Sequence, residues 1–300
     1  MIKALVHLIS RIPLRVLYAI SDVIYILLYY IIRYRRGIVR KNLTTSFPEK
    51  SKKEIKHIER EFYRWLCDYF VETAKLINIS DDEMRRRTCF NNIELVDEAW
   101  DRGQNISIFM GHYCNWEWLS DIGLFTAPRH ANAVKGLIYH ALRNETTDAL
   151  MLDIRSSHGG KCINKRNILR EIVTLKRNGI NYLMGYIFDQ GPRYENIHLW
   201  MPFLNHNTGV FTGAERLTRK FNEMTFFLKV ERPKRGYYTA TLVPVTATPN
   251  ELPEYELTKR CMQLLEESIK EAPQFYLWTH NRWKRTYEGY QEWAKEHERR

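Results

Sequence analysis

Short apolar runs alternate with amphipathic helical stretches through the middle of this 300-residue chain, and that alternation limits its fold more than any other feature. Residues 94–102 read as a helix that Gly103 can close in the left-handed conformation, and Asn105-Ile-Ser-Ile-Phe-Met110 reads as a buried strand. The spacing then predicts a helix over 116–124, a strand over 131–134, a helix over 144–157 ending at Gly159-Gly160, a helix over 165–177 stopped by Gly179, and a strand over 181–187. Strands separated by helices make parallel neighbours, so the expected class is α/β, with a parallel-rich central sheet flanked by helices. Sites in such sheets gather at the carboxyl ends of strands. His112 and Asp189 both fall just beyond predicted strands.

The flanks add helices and one hairpin. Ser51-Lys-Lys-Glu54 is a capping box, and Ile55, Ile58, Phe62, Leu66, Tyr69 and Thr73 recur at helical spacing to about residue 76. A helix is expected over 209–222, strands over 225–232 and 237–244 about a Lys234-Arg-Gly236 turn, a helix over 254–270, and a helical tail in the last thirty residues.

The N-terminal stretch Leu14 to Ile32 is apolar except for Arg15 near its edge and Asp22 inside it, close to the roughly 20 residues that cross a bilayer. Three arrangements fit: a spanning anchor, a helix lying in the membrane interface, or a buried helix. Arg33, Arg35, Arg36, Arg40 and Lys41 follow at once, which places the remainder of the chain on the cytoplasmic side. The reading is an N-terminal membrane-associated helix in 1–35 and a catalytic domain with a helical tail in 36–300.

Net charge narrows the partners. Lys and Arg number 46 against 35 Asp and Glu, a formal +11 that suits an anionic partner: nucleic acid, acidic headgroups or an acidic carrier protein. The basic, aromatic run His280-Asn-Arg-Trp-Lys-Arg285 has no nucleic-acid-binding motif beside it, so no nucleic acid is expected. The five cysteines are scattered with no C-x-x-C pair, and the histidines show no ligand spacing, so neither disulfides nor a metal are expected. Oligomeric state is not legible.

His112 is followed by Glu117 on the first turn of a predicted helix. A histidine is the natural base at neutral pH, and a carboxylate that curls back to it can fix its tautomer and stabilise the imidazolium. Asn115 and the amides about Cys114 to Trp116 would lie near a helix N-terminus, where an oxyanion is supported. Cys114 beside the histidine offers a nucleophile reading, although a one-step transfer has no need of it. Asp189 also fits as a loop carboxylate capping a turn before Pro192, and Arg155 as a solvated helix-end residue.

Gly111-His-Tyr-Cys-Asn-Trp-Glu117 resembles the signature of the lipid A biosynthesis acyltransferases, the late lauroyl and myristoyl transferases of Gram-negative bacteria, which share the His-x4-Asp/Glu pattern of glycerol-phosphate acyltransferases. Other blocks agree in order: Val39-Arg-Lys-Asn-Leu43 with Phe47-Pro48, Asp189-Gln190, Phe211-Thr-Gly-Ala-Glu-Arg-Leu217 and Tyr276-Leu-Trp-Thr-His-Asn-Arg-Trp-Lys284. The resemblance covers about residues 36 to 285. It implies His112 as general base with Glu117 as its partner, Asp189 as a further active-site carboxylate, and Asn115, Arg155 and Gln190 as substrate-binding residues. It also implies an acyl carrier protein thioester as donor, a lipid hydroxyl as acceptor, no further cofactor, and a place on the cytoplasmic side of the bacterial inner membrane against its anionic surface. Two departures bear on the acceptor: Gln190-Gly191-Pro192 shortens the usual acidic run, and His198-Leu-Trp200 leads into Met201-Pro-Phe203 where valines are more familiar. A lysophospholipid or amino-acid lipid acceptor, and a silent protein that only binds anionic membrane, are the rival readings.

Overall fold

The computed structural model describes residues 2–297. Helices α1 (Ile2–Arg11) and α2 (Leu14–Ile26) open the chain, and α2 runs into a π-helical turn at Leu27–Ile31. Two opposite stripes define the α2 segment. Leu14, Leu17, Ser21, Tyr25 and Tyr29 are buried, whereas Val16, Ile20, Val23, Leu27, Tyr30 and Ile31 are exposed at the same helical spacing. Helices α3 (Arg36–Ser46) and α4 (Lys52–Lys75) follow. The capping box forms as expected: the Ser51 Oγ accepts from the Glu54 amide at 3.3 Å and the Ser51 amide donates to Glu54 Oε2 at 2.8 Å. The buried stripe of α2 rests on α4 and shares its core with Phe62, Trp65 and Leu66.

Polar groups also tie α2 to α4 and to the Lys234-Arg-Gly236 turn. Ser21 donates to Asp68 at 2.7 Å, the Tyr18 hydroxyl donates to Glu72 at 2.9 Å, and Asp22 pairs with Arg235 at 2.8 Å. The charge that interrupts the apolar run thus has a partner.

Next come α5 (Asp81–Arg87), β1 (Thr88–Asn91), α6 (Glu94–Asp101), β2 (Ile106–Met110), β3 (Val134–Tyr139), α7 (Glu145–Ser156), β4 (Gly160–Asn164), α8 (Ile168–Arg177) and β5 (Tyr182–Ile187). They are followed by β6 (Leu199–Phe203), β7 (His206–Val210), α9 (Gly213–Phe221), β8 (Met224–Lys234), β9 (Tyr237–Thr246), α10 (Glu256–Glu271) and α11 (Tyr287–His297). Seven strands form one sheet in the order β1-β9-β8-β2-β5-β3-β4. All neighbours are parallel except the β8–β9 hairpin, so the sheet is mixed and mostly parallel, as the alternation predicted. Every residue of the central β2 is buried, as a strand covered on both faces requires.

Several boundaries differ from the sequence reading. The strand expected over 131–134 begins only at Val134, because a 3₁₀ turn at Pro128–His130 occupies the residues before it. The helix expected over 116–124 is a 3₁₀ helix, Trp118–Leu124. The helix expected from 209 starts at Gly213, since His206–Val210 pairs antiparallel with Leu199–Phe203. Leu204 and Asn205 hold φ of 49° and 61° in the two-residue turn between them, the twist a tight hairpin needs.

Candidate active site

The loop after β2 carries Gly111-His-Tyr-Cys-Asn-Trp-Glu117 over the carboxyl end of the sheet. Gly111 is pressed against α10, where a Cβ would stand 2.5 Å from a Leu265 methyl, so a larger residue there would have to displace that side chain. Cys114 adopts a left-handed φ of 52°. That turn reverses the chain and sends His112 and Glu117 to different surroundings.

His112 finds its partner on the neighbouring strand. Asp189, just past β5, accepts from His112 Nδ1 at 2.7 Å and from the His112 backbone amide at 3.1 Å. Two bonds to one carboxylate oxygen fix the ring and its tautomer, leaving Nε2 with a free lone pair. Gln190 Nε2 lies 3.2 Å from that atom and donates to it. The imidazole is 17% exposed and Asp189 only 3%, so substrate can reach the ring and not the acid. Burial pushes the Asp189 carboxyl up, but His112 and then Arg282 more than offset it, and the group stays ionised below its ordinary value.

Residues 273–285 form a strap that closes this site. The Leu277 amide donates to the His112 carbonyl at 3.1 Å, and the Cys114 amide donates to the Phe275 carbonyl at 2.9 Å. Gly191 admits the strap, since a Cβ there would meet the Arg282 carbonyl at 2.9 Å. Its amide donates to His280 Nε2 at 3.3 Å. Burial, then the nearby Arg282, depresses the His280 imidazole to about 4, so it stays a neutral acceptor. From the other side, Asn42 Nδ2 donates to the Trp278 and His280 carbonyls at 2.9 and 3.0 Å. The ordered sequence blocks around Asn42, His112, Asp189 and Tyr276 therefore converge on one place.

Glu117 goes elsewhere, which corrects the pairing expected for it. Its carboxylate receives Arg155 Nε at 2.7 Å and Nη2 at 2.6 Å, Trp116 Nε1 at 3.1 Å and the Tyr69 hydroxyl at 3.4 Å. Among the described residues no hydrogen bond or ion pair joins it to His112. The Trp116 ring instead stands edge-on to the imidazole, with centroids 5.0 Å apart. Arg155 is neither a solvated helix end nor a free cation: burial weakens its charge, and the two bonds to Glu117 restore and exceed that loss.

Asn115 is corrected likewise. It is fully buried, its Nδ2 donates to Glu72 at 2.8 Å and its Oδ1 accepts the Trp118 amide at 3.2 Å, so both ends of the amide belong to the protein. Cys114 is buried beneath the loop, and burial raises its thiol far above the ordinary value, which leaves no thiolate for attack. Sequence reasoning missed Tyr69 and Glu72 on α4. The signal was there: Asp68 and Glu72 are acids one helical turn apart beside the apolar stripe of Trp65, Leu66 and Tyr69.

The arrangement can take a proton at His112 Nε2, hold the resulting positive charge against Asp189, and do so beside an indole wall. A family model described as bacterial lipid A biosynthesis acyltransferase matches residues 1–285. No curated protein matches the chain.

Proposed function

The chain belongs to the bacterial lipid A biosynthesis acyltransferase family, and from that premise we propose that it moves a fatty acyl chain from an acyl carrier protein thioester to a hydroxyl of a lipid A precursor. In this reading the acceptor hydroxyl displaces the Gln190 amide from His112 Nε2. The base takes the hydroxyl proton as the oxygen attacks the thioester carbon, and Asp189 stabilises the imidazolium. Collapse of the tetrahedral intermediate breaks the carbon–sulfur bond, and the departing thiolate takes the proton back from Nε2. Gln190 and the strap position the reactants, while Glu117 and Arg155 hold the Trp116 wall.

The observation that carries this reading is the His112–Asp189 pair, in which the imidazole is partly exposed and the acid buried. Replacing His112 by Ala is expected to slow transfer by purified protein roughly 100-fold or more, the loss expected for a general base. Turnover like that of the wild type would overturn it.

Attachment to the cytoplasmic face of the inner membrane belongs to the same proposal. It is supported by the exposed apolar stripe of α2, by exposed Leu5 and Leu8 on α1, and by Lys3, Arg11, Arg15 and Arg33 about them. Because the opposite side of α2 is bonded to α4, this stripe suits the interface between headgroups and acyl chains, where an amphipathic acceptor resides.

A further inference from the structure

The carboxyl ends of β5, β3 and β4 lie in that order beside β2, and their loops carry cations. Arg143 follows β3, Lys165 and Arg166 follow β4, and Arg193 follows β5; all four are exposed. The strand register holds them together. Tyr139 pairs with Asn164, and the Lys165 amide donates to the Tyr139 carbonyl at 2.9 Å, so Lys165 and Arg166 adjoin the end of β3. Arg193 stands three residues past Gln190, whose amide touches the base, and Arg285 Nη1 donates to the neighbouring Pro192 carbonyl at 3.1 Å.

Three of these four charges lack an acidic partner among the described residues: Arg143, Lys165 and Arg166 enter no ion pair, and Arg193 reaches Glu195 only at 3.8 Å. Glu145 and Asp148 at the start of α7 form no ion pair with Arg143, and Asp148 accepts the Leu142 amide at 2.7 Å. The crowding is felt within the cluster: Lys165 first, and Arg166 and Arg193 with it, disfavour the charged form of His140. Like charges fixed side by side weaken the fold and gain their use from an anionic partner.

The partner's class follows from how the charges are laid out. They sit on three loops across about 10 Å of sheet edge, two strand spacings, and so form a rim, where a single phosphate would need donors converging on one point. The membrane-facing stripe lies elsewhere, because α1 meets α7 through Lys3 and Asp153 near the C-terminal end of that helix. Arg143 precedes its N-terminal end, which lies about 12 Å from Asp153 along the helix axis.

We propose that Arg143, Lys165, Arg166 and Arg193 form the docking rim for the acidic carrier protein that presents the acyl thioester to His112. The proposal rests on the reading that the donor is a carrier-protein thioester. Exposed Leu142 and Leu169 stand among the cations and supply the apolar contact such a complex needs. Donor and acceptor then approach from different surfaces: the carrier over the strand ends, the lipid from the α1–α2 face.

The test compares two donors, an acyl carrier protein thioester and the same acyl group on pantetheine, with a lipid A precursor in mixed micelles as acceptor. The full-length K165E/R166E variant and R143E are assayed beside wild type, with K52E/K53E on the exposed start of α4 as the charge control. For the carrier donor, kcat/KM is expected to fall about 10-fold or more through KM, and the wild-type KM to rise with salt. With acyl-pantetheine the rim variants should stay within about twofold of wild type, and the control should match wild type with both donors. Unchanged carrier kinetics in the rim variants would overturn the docking rim, as would an equal loss with both donors, which would assign the charges to the acceptor or the fold. Wild-type protein that uses acyl-pantetheine and not the carrier thioester would overturn the donor reading and the rim with it.

Discussion

The site holds two buried carboxylates, and they live differently. Asp189 meets an imidazole that substrate can reach and whose second nitrogen is left to accept a proton. Glu117 meets a guanidinium whose charge is permanent, in a bidentate pair closed over by Tyr69 and Trp116. The first pair can shuttle a proton; the second can only hold its place. What separates them is a single left-handed residue, Cys114, which turns the loop so that nearness in sequence and nearness in space no longer coincide.

The largest effect should come from the first pair. Asp189→Asn keeps the shape and removes the charge that orients His112, so kcat is expected to fall roughly 100-fold, approaching the loss in His112→Ala because the acid acts through the imidazole, with KM little changed. Steady-state transfer by purified protein measures this. A larger kcat loss in Glu117→Gln than in Asp189→Asn would reverse the roles assigned to the two carboxylates.

Arg155→Ala addresses the second pair. It strands a buried carboxylate, and such losses cost about 3–5 kcal/mol, so unfolding in detergent should shift to much lower denaturant concentration. The E117Q/R155M double variant, which leaves no uncompensated charge, should recover most of that stability. An Arg155→Ala protein that unfolds like wild type yet transfers nothing would move the ion pair from the fold into the chemistry.

His280 reports the surroundings of the first pair. Its folded pKa of about 4 lies below the ordinary value near 6.5, so between those values the unfolded chain binds more protons and stability rises with pH. Acidification through this window should cost on the order of 3 kcal/mol that a His280→Gln variant does not lose. Unfolding curves at several pH values for both proteins show it. Equal slopes would mean that the strap does not bury this ring.

Much of the fold was legible because local chemistry and tertiary position agree. The Ser51–Glu54 box, the wholly apolar β2, and Gly103, Gly159 and Gly179 at positive φ all mark what the chain does. The hairpin of β6 and β7 was hidden because Leu204 and Asn205 make its turn without a glycine, and β1 and β4 because runs of four or five mixed residues carry little periodicity. In the site, His112, Asp189 and Gln190 were readable as strand-end residues. The true partner of His112 was not, since it depends on β5 lying beside β2, a long-range pairing that no spacing along the chain encodes. The strap was visible only as a block of sequence, without the hydrogen bonds from Asn42 that give it a place.

The smallest effect should come from the residue at the bend between the two pairs. Cys114 is the nearest thiol to His112 in sequence, and a two-step reaction through an acyl-cysteine would need it as a thiolate. Its Sγ lies beneath the loop, 3.7 Å from the Val230 carbonyl, where burial keeps it protonated. Cys114→Ala should therefore retain transfer within a few-fold of wild type, with any loss arising from the left-handed backbone, which alanine tolerates no better than cysteine. Intact-mass measurement of wild type mixed with acyl thioester should find no added acyl group on the protein. A covalent adduct lost in the Cys114→Ala variant would replace the one-step transfer by a relay, and Asp189 would then serve a histidine that activates sulfur.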